Sequence, residues 1–160
     1  MDEKPKAEVV DPPHAIRNKV SGGGDISDEM LQRAEHAMQN LSDGFIEQAG
    51  ADVDKLAVLY QEAMSDPDGR PEAIEQIFRI SHDLRGQGTT FDYPLLTRVG
   101  SSLCTFAETI DPKNDKCFAL IGIHIDALRA IIIREIKGDG GPVGREIAEG
   151  LEKAVGKNIS

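Results

Sequence analysis

Apolar residues along this chain recur at steps of three and four, run after run, and sustained alternation of period two is missing. That spacing puts side chains on one face of an α-helix and argues against a sheet protein. Leu31, Ala34, Met38, Leu41 and Phe45 form the first run. It weakens at Gly44 and Gly50 and resumes with Val53, Leu56, Tyr60 and Ala63, which fits one bent helix or two in succession. Ile74, Ile77, Phe78, Ser81, Leu84 and Gly88 trace a second face. Leu95, Leu96, Val99, Leu103, Phe106, Ala107 and Ile110 trace a third, and Phe118, Ile121, Ile125, Leu128, Ile132 and Ile136 a fourth that runs to Gly138. Ser27, followed by Asp28 and Glu29, is a suitable helix start, and Pro71 fits a first turn because it has no amide to lose there. Asp66-Pro67-Asp68-Gly69, Asp92 with Pro94, and Asp111-Pro112 supply the breaks.

Helices joined by turns this short are antiparallel neighbours, so the expected fold is all-α: an antiparallel up-and-down four-helix bundle with additional N- and C-terminal helical segments. Residues 1–25, with Pro5, Pro12, Pro13 and the Ser21-Gly22-Gly23-Gly24 run, are expected to be a flexible tail in which His14 has no role. The bundle is expected over 26–137. A linker and C-terminal helix are expected over 138–160, where Val143, Ile147, Leu151 and Val155 give a weaker amphipathic pattern. At 160 residues the chain is about one domain. With no Trp and 4% aromatics, its core must be mostly Leu, Ile, Val and Ala.

A formal net charge of −10 argues against nucleic acid as a partner, since a phosphate backbone wants a basic footprint. No apolar run approaches the roughly 18 residues of a membrane span. Met1-Asp2-Glu3-Lys4-Pro5-Lys6 lacks the apolar stretch of a signal peptide, so no membrane partner and a cytoplasmic location are expected. Cys104 and Cys117 are then two reduced, partly buried thiols. Metal is not expected, because the Glu-x-x-His pairs of a di-metal bundle are absent. His36 reads as a solvated position and His124 as a partly buried structural one, set among Ile121, Ile125 and Leu128.

His82 is different. At about 100° per residue it falls roughly a third of a turn from the centre of the apolar face, and Glu75, Arg79, Gly86 and Thr89 share its stripe. None of these is a large apolar residue, so His82 is expected at the surface. A mid-helix glycine costs about 0.5–1 kcal/mol relative to alanine. At Gly86 it would let a partner's backbone approach the imidazole; at Gly88, on the core side, it would admit close packing of another helix. Arg79 and Arg85 place cations within a turn of the histidine, which suits a phosphoryl group, and Glu75 is spaced to pair with Arg79.

The segment His82-Asp83-Leu84-Arg85-Gly86-Gln87-Gly88-Thr89-Thr90-Phe91-Asp92 resembles the core motif of the histidine-containing phosphotransfer (HPt) family of bacterial two-component phosphorelays, His-x-Leu-Lys-Gly-x-Ser/Ala-x-x-Phe/Leu-Gly. Arg85 stands for the usual lysine, Gly88 for another small residue, and Asp92 where glycine is frequent. Tyr93-Pro94-Leu95-Leu96 and Phe106-Ala107-Glu108 also resemble the family's next helix. The resemblance implies that His82 is the phosphorylated nucleophile, taking a phosphoryl group from the aspartyl phosphate of one receiver domain and relaying it to another. Arg85 would act as electrostatic stabiliser, Gly86 as clearance, and Arg79 and Thr89 as docking contacts. Partners would be response-regulator receiver domains and a hybrid histidine kinase. This chain would bind no cofactor, with Mg2+ held by the receiver. Such a protein is a phosphorelay intermediate and not an ATP-dependent kinase. The alternative is a non-phosphorylated helical adaptor that binds a receiver or kinase without relaying phosphate.

Overall fold

A computed structural model describes residues 24–159, and among them the fold is all-helical, with no strand. Helix α1 spans Gly24–Ser65, α2 Arg70–Thr90, α3 Pro94–Thr109, α4 Asp115–Ile133 and α5 Gly141–Ile159, with one 3-10 turn at Pro67–Gly69 between α1 and α2. The expected tail lies, up to residue 23 and including His14, outside the described residues. Helix α1 runs unbroken past Gly44 and Gly50, and it begins at Gly24, ahead of the expected Ser27 start.

Contacts divide the chain into two units, residues Met1–Asp43 and Gly44–Ser160, with the boundary inside α1. In the first unit the apolar run expected to face a core is exposed: Leu31, Met38 (68%) and Leu41 (62%) all meet solvent. Periodicity identified the helix there but not its surroundings.

In the second unit the apolar faces close on one another. Phe45, Ala49, Val53, Leu56, Leu59 and Ala63 of α1 are buried, as are Ile74, Ile77 and Leu84 of α2 and nearly all the expected face of α3. Phe45 stacks on Phe91 at 4.6 Å, and Tyr60 stacks on Phe118 at 5.1 Å. Helix α2 packs along α3; α3 also packs on α4 and α5. Gly122 makes room for the Tyr60 ring, since a Cβ there would lie 2.6 Å from it. Helix α4 is capped by the Asn114 side chain, which accepts from the amides of Lys116 and Cys117. It ends at Ile133, short of the expected Gly138, because Glu135 turns into the left-handed region at φ 48°. Helix α5 buries Ala148, Leu151 and Val155, whereas Val143 and Ile147 of the expected face are exposed.

Arg70 breaks the apolar-inside rule at the start of α2. It is 4% exposed, donating to the Ala63 and Pro112 carbonyls at 3.3 and 3.0 Å and to Asp115 Oδ1 at 2.8 Å. Its guanidinium also lies 4.5 Å over the Phe118 ring. A buried cation is tolerable only when paired in this way. The result ties the start of α2 to the last turn of α1, to the α3–α4 turn and to the start of α4.

Candidate functional site

Helix α2 is pinned to α3 by two glycines, and that contact decides which way His82 faces. A Cβ on Gly88 would lie 2.5 Å from Thr97 Oγ1, 2.9 Å from the Tyr93 carbonyl and 3.0 Å from the Thr97 amide. A Cβ on Gly100 of α3 would meet the Ser81 carbonyl and Arg85 Cβ at 3.4 Å. The helices approach closely because these positions carry no side chain. Ser81, Leu84 and Gly88 are consequently buried, and the opposite surface of α2 is left to solvent.

His82 lies on that surface with its side chain 56% exposed. Its ring is 6.0 Å from Phe78, tilted at 57°. Its Nδ1 is 3.9 Å from Asp83 Oδ1, near enough for charge attraction but too long for a hydrogen bond. Among the described residues no hydrogen bond occupies either ring nitrogen, so the lone pair of the neutral imidazole is available.

One turn on, Gly86 stands in open space: a Cβ there would touch nothing within 4 Å. The fold therefore does not need a glycine at this position. Arg79 is 74% exposed and reaches Glu75 Oε1 at 3.4 Å, the pairing expected from their spacing. Arg85 is half-buried, its Cβ near Gly100, and forms no ion pair among the described residues. Its charge reaches Cys104 on α3, where burial pushes the thiol's pKa up and the Arg85 cation opposes that rise.

The helix ends two turns beyond His82 in a closure that the sequence did not make obvious. Asp92 has φ 65°, the left-handed conformation that a glycine adopts without strain, and the Tyr93 amide donates back to the Gly88 carbonyl at 2.7 Å. Aspartate is among the few side chains that enter this region readily, so Asp92 supplies the turn.

All five candidate residues, Arg79, His82, Arg85, Gly86 and Thr89, thus sit on one helix, and Thr89 joins α3 through its hydroxyl, 3.2 Å from Thr97 Oγ1. Thr97 itself escaped sequence reading, because its partners lie eight and twelve residues back on another helix.

The environment of His124 is unlike that of His82. His124 is 0% exposed; its Nδ1–H donates to the Leu120 carbonyl at 2.8 Å and its Nε2 accepts from Ser102 Oγ at 2.9 Å. Burial holds its pKa below the usual imidazole value, and the Leu120 carbonyl only partly offsets this. Both nitrogens are used, so this ring is a core hydrogen-bonding element. Cys104 and Cys117 are buried free thiols. No described helix is long and apolar enough to cross a membrane.

Set against family models, curated proteins and solved structures, the chain matches none.

Proposed function

We propose that this protein is a histidine phosphotransfer protein whose second unit contains an antiparallel four-helix bundle of the HPt kind, with His82 as the phosphoryl carrier and α5 as a C-terminal addition. The observation that carries this reading is the pairing of an exposed, unoccupied imidazole with a glycine one turn away that the fold does not require. Contact pairs in the second unit agree with antiparallel neighbours: Asp54 with Arg129 and Tyr60 with Phe118 for α1 and α4, and Phe78 with Cys104 and Gly88 with Thr97 for α2 and α3. The left-handed Asp92 gives the motif its terminal turn without the glycine that is frequent there.

In the transfer, a ring nitrogen of His82 attacks the phosphorus of an aspartyl phosphate on a receiver domain. The new N–P bond forms as the P–O bond to the aspartate breaks, and the aspartate leaves as a carboxylate. The ring gains positive charge in this step, and the Asp83 carboxylate 3.9 Å from Nδ1 offsets it. Transfer to a second receiver reverses the sequence on another aspartate. Arg85, which forms no ion pair among the described residues whereas Arg79 is paired with Glu75, is the cation for the phosphoryl oxygens, and Arg79, Gly86 and Thr89 form the docking surface. Receiver domains are the partners, with Mg2+ on their side of the interface.

Incubation with phosphorylated receiver domains should place acid-labile label on the wild-type chain and none on His82→Gln. Label that persists in His82→Gln would remove the site assignment. Receiver binding without any label on the wild type would make the protein an adaptor.

A further inference from the structure

Thr97 Oγ1 lies 2.8 Å from the Arg85 carbonyl oxygen and 3.2 Å from Thr89 Oγ1. A threonine hydroxyl has one proton and two lone pairs, whereas a carbonyl can only accept. The Thr97 proton is therefore committed to Arg85 O, and the proton in the Thr89–Thr97 contact must come from Thr89. The chain of donation runs from Thr89 to Thr97 to the carbonyl of Arg85. It exists because Gly88 leaves room for it: a Cβ at that residue would sit 2.5 Å from the Thr97 oxygen.

The direction of this chain has a consequence on the outer surface. Thr89 is exposed, seven residues beyond His82 on the same stripe, and its proton is directed toward α3. What it offers a partner is lone-pair density alone. The geometry points to Thr97 as a positioning residue that makes Thr89 a hydrogen-bond acceptor, so that the docking partner must present an N–H donor there, a backbone amide or a Lys, Arg, Asn or Gln side chain. A carboxylate or a phosphoryl oxygen at that spot would face lone pairs and be disfavoured. Thr89 is thereby separated from the phosphoryl group itself and assigned to partner selection. This inference rests on the reading of the His82 face as a receiver-docking surface.

The test uses the full chain with Thr97→Val, which keeps the shape and removes the hydroxyl, and Thr97→Ser, which keeps the hydroxyl. Labelling of His82 by phosphoramidate, a small donor that needs no docking, should be within about twofold of wild type in both. Transfer from a receiver domain charged with acetyl phosphate should fall several-fold in Thr97→Val, because the Thr89 hydroxyl is then free to turn its proton against the partner's N–H, through KM and not kcat, and return in Thr97→Ser. Equal transfer by wild type and Thr97→Val, or an equal loss in both variants, would overturn the inference. An NMR readout is independent of any receiver: the Thr97 hydroxyl proton should exchange slowly enough to be seen, with cross-peaks to Arg85 and Thr89. Exchange at the solvent rate would overturn the donation chain. A visible hydroxyl proton in a wild-type protein that takes no label from any receiver would instead refute the proposed function, and the docking role of Thr89 with it.

Discussion

The outer face of α2 and the packed interior behind it each offer a histidine and a glycine for comparison, and the two pairs are built to opposite ends. On the outer face, His82 is more than half exposed with neither ring nitrogen hydrogen-bonded among the described residues, and a Cβ on Gly86 would meet nothing within 4 Å. In the interior, His124 of α4 is fully buried with both nitrogens engaged, and Gly88 at the seam of α2 with α3 has no room for a methyl group. Residue type alone does not separate function from structure here; surroundings do. A glycine that the fold would exchange for alanine without a clash, as at Gly86, is not accounted for by packing. A glycine wedged between backbones accounts for itself.

The comparison can be broken most forcefully at Gly88. Replacement by alanine drives a Cβ against the Thr97 hydroxyl and against the Tyr93 and Thr97 backbones, which cannot swing aside as a flexible side chain would. Gly88→Ala should cost about 2–3 kcal/mol in denaturant unfolding. A loss below about 0.5 kcal/mol would mean that the seam is looser than its distances imply.

The histidines offer a second, smaller contrast. Burial lowers the His124 pKa from its model-peptide value of 6.5, so below that pH the unfolded chain binds a proton that the folded chain refuses. The unfolded state then binds more protons, and stability falls as pH drops below about 6.5, by at most about 1.4 kcal/mol per unit until the folded-state pKa is reached. Unfolding titrations should show this slope in wild type and should show it flattened in His124→Gln. An unchanged slope in His124→Gln would contradict the burial of that ring as its cause.

Much of this arrangement was legible in the sequence because it is local. Helix periodicity found the buried faces of α2 and α3 nearly residue by residue, and the stripe count placed His82 beyond the edge of the buried face. What escaped notice depends on contacts between distant residues. Arg70 is buried through partners that include Pro112 and Asp115, more than forty positions away, so an apolar-inside rule could not anticipate it. Thr97 matters through a carbonyl on a neighbouring helix. The run from Leu31 to Leu41 has the same period as the buried runs yet is exposed, because periodicity says which side chains share a face and not what lies opposite. Asp92 was identified as the departure from the motif, but only its φ reveals that it performs the turn regardless.

The most direct test of the account is Gly86→Ala, with unfolding and receiver-dependent labelling of His82 measured on the same preparation. An alanine fits the space around that position and favours the helix by about 0.5–1 kcal/mol, so the protein should become slightly more stable. Transfer from the receiver should nevertheless slow roughly tenfold, since in the proposed docking the added methyl group sits where the partner's backbone approaches. A more stable protein with undiminished transfer would contradict the claim that the open face of α2 is the working surface.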